Sequence, residues 1–191
     1  MRPARVFRWL IRLFVLILTL SVTMVSIFGG LSAVMILSNP DNIGIDTGNA
    51  DLNIDYDIGG INDINFTLPF NITNAGFFNL EDLKINVGIW LEYWHVNLTI
   101  PGVNSSNIVK IFDKTTEFGN IKKGATLRDN YTGTYSDFTT SAFPAPIDFD
   151  FTKDPDMIFY ANFTMSLKYS LELHSITLGI YNISVGEYNV I

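Results

Sequence analysis

Cysteine is absent from the 191 residues, and histidine occurs only twice, at His95 and His174. Without cysteine there is no disulfide staple and no thiol nucleophile, so the fold rests on its apolar core alone. That composition, with its many Ile and Asn residues, points to a prokaryotic, archaeal-like source. The two histidines do not form an H-x-x-x-H pair or any similar metal spacing. His95 adjoins the aromatics Trp90, Tyr93 and Trp94, where a structural role is the ordinary one. No G-x-S-x-G elbow and no Gly-rich phosphate loop is present. The chain therefore reads as non-enzymatic, with no catalytic residues, no metal ligands and no cofactor.

Positive charge is scarce and unevenly placed. Four of the twelve basic residues, Arg2, Arg5, Arg8 and Arg12, stand at the N-terminus. All nineteen acidic residues lie beyond residue 37, beside eight Lys or Arg, which leaves that part at −11. A surface so acidic repels nucleic acid, so DNA and RNA are excluded as partners.

Between the two charged parts, the sequence LFVLILTLSVTMVSIFGGLSAVMIL at 13–37 contains no charge. At about 1.5 Å per residue it is long enough to cross a hydrocarbon core of roughly 30 Å. The arginines on its N-terminal side predict a cytoplasmic N-terminus and an extracytoplasmic C-terminal part. A cleaved signal peptide is the competing reading. Against it, the run far exceeds the ~7–15 residues of a signal core, and no A-x-A site follows. Gly29-Gly30 reads as a helix-packing face or as a tolerated flexible point. The expected organisation is a basic tail at 1–12, a transmembrane helix at 13–37, a juxtamembrane linker at 38–50 and a domain at 51–191.

After residue 50 the apolar period is two. Ile64, Phe66, Leu68, Phe70 and Ile72 alternate with Asn65, Thr67, Pro69, Asn71 and Thr73. Pro69 cannot donate a ladder hydrogen bond, which predicts an edge strand or a bulge there. Leu83 to Tyr93 and Val96 to Ile100 alternate likewise. The longest run is Met157 to Leu173, and Ile176 to Val185 follows a turn near His174-Ser175. Turn signals stand at Gly59-Gly60, Asn74-Ala75-Gly76, Pro101-Gly102, Lys123-Gly124 and 142–146. The stretch 127–146 reads as a long loop or an irregular edge. Six to eight such strands predict an all-β fold, an antiparallel β-sandwich behind one N-terminal transmembrane α-helix.

Seven Asn-x-Ser/Thr sequons occur, at Asn65, Asn71, Asn97, Asn104, Asn130, Asn162 and Asn182. They predict a glycoprotein if the compartment holds the transferase. Asn65 and Asn71 fall on the polar side of their strand, so alternation and glycosylation agree. The carboxylates Asp46, Asp51, Asp55 and Asp57, and Asp148, Asp150, Asp154 and Asp156, read as solvated loops without a calcium-loop motif. Gly88, Trp90, Glu92 and Trp94 share the polar side of theirs. Either a second layer such as 127–146 covers the two tryptophans, or they meet a ligand or partner. The apolar side of Met157–Leu173 reads as plain core or as the lining of a lipid site. Phe66, Phe70, Trp90, Trp94 and Leu167 are the candidate lipid or partner contacts.

Over 64–90, INFTLPFNITNAGFFNLEDLKINVGIW, the chain resembles the late embryogenesis abundant type 2 domain, also called the water-stress/hypersensitive-response domain. That family sets an alternating strand before an Asn-centred turn, often Asn-Pro-Asn, and then another strand. Phe70, Ile72 and Asn74-Ala75-Gly76 occupy the corresponding places, without the Pro. The resemblance extends loosely over 45–190. It implies a seven-stranded β-sandwich, lipid binding or transfer through an apolar cleft between the sheets, or a membrane-tethered adaptor role. The function expected is thus a non-catalytic, membrane-anchored extracytoplasmic binding module with membrane lipid as partner. A cell-surface protein or self-association is the further partner expectation. A glycosylated structural subunit of an envelope, filament or membrane complex is the alternative.

Overall fold

A computed structural model describes residues 3–57, 60–96, 104–145, 150, 155–169 and 174–188. The fold is an antiparallel β-sandwich preceded by one long helix, as the alternation and the apolar run predict. Helix α1 spans Pro3–Leu37 and contains an uninterrupted candidate membrane span over Phe7–Leu37. It stops before Asn39-Pro40, because the residue ahead of a proline is pushed out of helical geometry. The side-chain Nδ2 of Asn42 then donates to the helix-end carbonyls of Met35 at 3.0 Å and Ile36 at 3.3 Å, closing the helix end.

One sheet is built around β3 (Gly60–Thr73), paired on one side with β6 (Thr126–Gly133). On its other side lie β1 (Ile43–Ile45) and β2 (Asp51–Asp57), end to end, against Phe70–Ile72 and Gly60–Thr67. Residues 38–50, read as a linker, therefore supply a strand. The second sheet has the order β5-β4-β7-β8, with β4 at Leu80–Val96, β5 at Asn104–Ile121, β7 at Met157–Tyr169 and β8 at His174–Tyr188. The inward residues of β3, β4 and β7 alternate as the sequence does. Ile85, Val87, Ile89 and Leu91 are fully buried, as are Ile64, Phe66 and Met157. Each such side chain contributes about 1.5–3 kcal/mol of transfer free energy.

Three local features depart from the sequence reading. Pro69 lies in the central strand of its sheet, not at an edge. Its carbonyl accepts from the Asp46 amide at 3.0 Å, so its missing N–H faces the break between β1 and β2, where a 3-10 turn at Thr47–Asn49 interrupts the pairing. The stretch 127–146 is not simply a loop. Residues 127–133 make up nearly all of β6, and the rest folds through two 3-10 turns that bring Phe138 against Phe112 in the core, ring centroids 4.6 Å apart. Strand β5 was not visible as an alternating run, because its pairing slips between Ile89 and Trp90 of β4. The extra residue there turns both Ile111 and Phe112 inward.

The helix does not simply lead into the sandwich; it docks on it. Val25, Gly29, Ser32, Ala33 and Ile36 form one covered stripe at helical spacing. Of the glycine pair, Gly29 faces the domain and Gly30 faces open space. The stripe receives the loop 74–79. Phe77 donates its amide to Ser32 Oγ at 2.9 Å and stacks edge-on against Phe28 at 5.3 Å. Asn74 holds that loop. It is fully buried, and its Nδ2 donates to the carbonyls of Phe78 and Ile121 while its Oδ1 accepts from the Gly76 amide.

Candidate functional site

Sheet width creates the first candidate site. Strand β1 is three residues long, and the inward face of β8 is partly bare. Ile176 and Leu178 are half-buried there, and Ile180 is 46% exposed. A cleft of about 270 Å³ opens at this flank, between the two sheets and against the end of α1. Ile36, Pro40 and Ile43 form one wall, and Phe163, Met165 and Leu178 form the other. The walls are aliphatic and aromatic, with Asn39 at the rim. Such a surface binds a hydrocarbon chain and offers no group for acid-base or nucleophilic chemistry.

The second candidate lies on the outer face of the β4–β7–β8 sheet. A depression of about 540 Å³ is lined by Trp90, Glu92, Ile108, Tyr160, Asn162 and Asn182. The indole of Trp90 lies over Gly88, where a Cβ would stand 2.8 Å from the ring, and Lys110 sits 5.1 Å from its centroid. Tyr160 hydrogen-bonds the Glu92 carboxylate, which raises the phenol above its ordinary value; burial and the charges of Glu92 and Glu187 add to this. Asn182 adopts a left-handed backbone (φ 57°) at a bulge in β8, and its amide donates to Asn162 Oδ1 at 2.9 Å. Among the described residues, none of 127–145 lines this depression.

The structure separates the candidate contacts. Phe66, Phe70 and Leu167 are core residues, exposed by 1%, 4% and 2%, and none lines either cleft. Trp90 and Trp94 are half-buried on the outer face, and of the two Trp90 lines the depression described above. The residues that form the inter-sheet cleft are instead helix-end and β1 side chains, together with Met165 and Leu178. Their signal was the apolar face of the 157–173 and 176–185 runs, but the uncovered flank has no signature in one strand.

Among the sequons, Asn65, Asn71 and Asn162 are half-buried, and Asn130 and Asn182 are exposed. All five stand away from the core cluster. Asn97 lies outside the described residues, and so do the side chains of Asn104, His95 and His174. Of the N-terminal arginines, Arg8 and Arg12 are exposed on α1, whereas Arg2 and the Arg5 side chain lie outside the described residues. Among the described residues, no three His, Asp or Glu side chains gather at metal-binding distance.

No protein-family model matches the chain, and no curated protein matches it. Among solved structures, it is similar to the sporulation control protein Spo0M of Bacillus subtilis, with 14% identity and a TM-score of 0.29. The likeness covers 74% of this chain and 49% of that one, so the chain spans about half of Spo0M. An overlap this loose carries no argument about function.

Proposed function

We propose that this protein is a non-catalytic binding module, held at a membrane by α1, that takes a lipid hydrocarbon chain in the cleft between its two sheets. The observation that carries this reading is the apolar flank lined jointly by the end of α1 and by Phe163, Met165 and Leu178. Its volume of about 270 Å³ lies just below the usual span of ligand sites, roughly 300–1,000 Å³, which suits a chain segment and not a headgroup. The Arg cluster ahead of the apolar run supports an N-terminus in the cytoplasm and a sandwich outside. The five described sequon asparagines, all clear of the core, support glycosylation of that outer domain. The likeness of 64–90 to the late embryogenesis abundant type 2 domain fits the same picture.

Native mass spectrometry of the full-length protein, released gently from its own membrane, tests the reading. A monomer carrying one lipid is expected, and Leu178→Trp, which fills the cleft, is expected to lose it while keeping its fold. Equal lipid occupancy in both proteins, or none in either, sinks the proposal.

One observation favours the alternative of a structural subunit. Strand β8 is fifteen residues long and forms an edge of its sheet, with Ile180 and Tyr181 exposed. Edges of this kind pair with other chains. A lipid-free, regular oligomer in the same spectrum would select that reading.

A further inference from the structure

We propose that the end of the sandwich nearest α1, carrying Phe77, Lys122 and Lys123, rests on the adjoining leaflet and binds anionic lipid headgroups. This rests on α1 crossing the membrane, as proposed above, and assigns a second lipid contact distinct from the inter-sheet cleft.

The height of this surface follows from the helix. Arg8 and Phe28 are twenty residues apart, and so are Arg12 and Ser32. At about 1.5 Å per residue each interval measures roughly 30 Å, the thickness of a hydrocarbon core. With the arginines at one interface, Phe28 and Ser32 therefore reach the other. These are the two residues to which Phe77 is fastened, by the 5.3 Å ring contact and the 2.9 Å hydrogen bond. The loop 74–79 is thus fixed at headgroup depth by direct contacts.

The chemistry presented there differs from the rest of the domain. Phe77 is 40% exposed although it is a large apolar residue. Lys123 lies 5.6 Å from its ring, and its amide donates to Asn79 Oδ1 at 3.0 Å, which ties the β5–β6 turn to the same loop. The turn is tight. Ala125 donates to the Lys122 carbonyl at 3.0 Å, and Gly124 takes φ 75°.

Elsewhere in the domain the described lysines are neutralised. Lys84 pairs with Asp82 and Glu117, Lys110 with Asp113, Lys114 with Asp137 and Lys168 with Asp82. Lys122 and Lys123 are exposed and have no carboxylate partner among the described residues. In a domain with an excess of negative charge, these two cations sit beside the membrane-level phenylalanine; Arg128, the domain's other described cation without a carboxylate partner, stands on β6. An exposed aromatic ring with flanking lysines suits an interface whose phosphates are negative. Repulsion of the acidic remainder would hold the sandwich upright on this end.

The absence of cysteine makes the test direct. Single spin labels are placed at Leu20→Cys, on α1, and at Ala75→Cys, beside Phe77, in the full-length chain. Each is reconstituted in phosphatidylcholine vesicles and in vesicles with one quarter phosphatidylglycerol. Collision with oxygen and with a neutral nickel chelate reports depth. The Leu20 label is expected in hydrocarbon in both membranes. The Ala75 label is expected at the interface, more shielded from nickel in the anionic vesicles. The double substitution Lys122→Gln and Lys123→Gln is expected to remove that difference, each lysine contributing about a five-fold preference. An Ala75 label equally open to nickel in both membranes, or indifferent to the substitutions, overturns the proposal while leaving α1 in the bilayer. A Leu20 label open to nickel overturns the membrane reading and this inference together.

Discussion

The hydroxyl of Ser32 accepts from the Phe77 amide at 2.9 Å while donating to the Phe28 carbonyl at 2.8 Å. Both hydrogen-bonding roles of one buried side chain are thereby filled, and an apolar helix is joined to a β-domain by a directional contact. Ser32→Ala leaves the Phe77 amide without its partner, which costs about 1–3 kcal/mol. The expected readout is a Tm lower by several degrees in thermal unfolding of the detergent-solubilised protein. An unchanged Tm would mean that the helix and the loop do not depend on this bond.

Asn74 is the stronger test of the same junction. Its side chain makes three hydrogen bonds without exposure, joining the loop 74–79 to the end of β5. Asn74→Ala strands two buried carbonyls and an amide, so a loss of about 3 kcal/mol or more is expected. Asn74→Asp is expected to be nearly as damaging, because a carboxylate cannot donate to those carbonyls. Urea unfolding midpoints at constant slope check both.

Gly133 and Gly88 are predicted to differ in kind. A Cβ at Gly133 overlaps the ring of Phe112, which is packed among Phe66, Tyr131 and Phe138. Gly133→Ala is therefore expected to destabilise by about 1–3 kcal/mol through overpacking. A Cβ at Gly88 meets the far edge of Trp90 at 2.8 Å and the end of the Lys110 chain at 3.4 Å, both side chains at an outer surface. Gly88→Ala is expected to swing the indole aside, visible as a changed tryptophan emission maximum with little loss of Tm.

Acid and alkali act on different groups of the domain. The Lys114 ammonium, hydrogen-bonded to Asp137, holds that carboxyl below its ordinary value of 3.8, with the Thr134 amide assisting. Lys168 does the same for Asp82, and Lys110 for Asp113. Groups lowered on folding contribute stability that is complete above about pH 4 and is lost as pH falls through their folded values. Tyr131 works in the opposite sense. Burial pushes its phenol up to about 12 from 10.0, and its hydroxyl donates to the Lys114 carbonyl at 2.6 Å. Its contribution is complete below pH 10 and declines by about 2 kcal/mol as pH rises to about 12. Denaturant midpoints measured across pH 2–12 are expected to show both flanks, the alkaline one flattened in Tyr131→Phe.

The strands legible in the sequence are three sheet centres and the edge strand β8, whose half-buried Ile176 and Leu178 alternate with exposed Ser175 and Thr177. Strands β3, β4 and β7 are sheet centres, buried on one side at every second residue, so their pattern survives in the one-dimensional chain. Strand β5 escaped notice because its bulge at Ile111 puts two successive residues inward, and its Asp113–Glu117 stretch is polar. Strands β1 and β2 are short and flank an interruption. Pro69 pointed to an irregularity in the pairing, but it marked the neighbour's break and not an edge of β3. The tryptophan pair was legible as anomalous, and the depression beside Trp90 drew in Tyr160, Asn162 and Asn182 from strands seventy residues or more away.

The sequence by itself determined the apolar helix, its charge asymmetry, the period-two core and the acidity of the domain, because each is a property of neighbouring residues along the chain. Only the tertiary structure decided which faces go uncovered. The inter-sheet cleft lies at a flank where one sheet, with β1 and β2 end to end, is three strands across and the other is four. The meeting of Ser32, Phe77 and Lys123 exists because a buried asparagine folds one loop back onto the helix and a turn 47 residues later onto that loop. Burial and adjacency across such separations depend on the relative placement of elements, which no local pattern encodes.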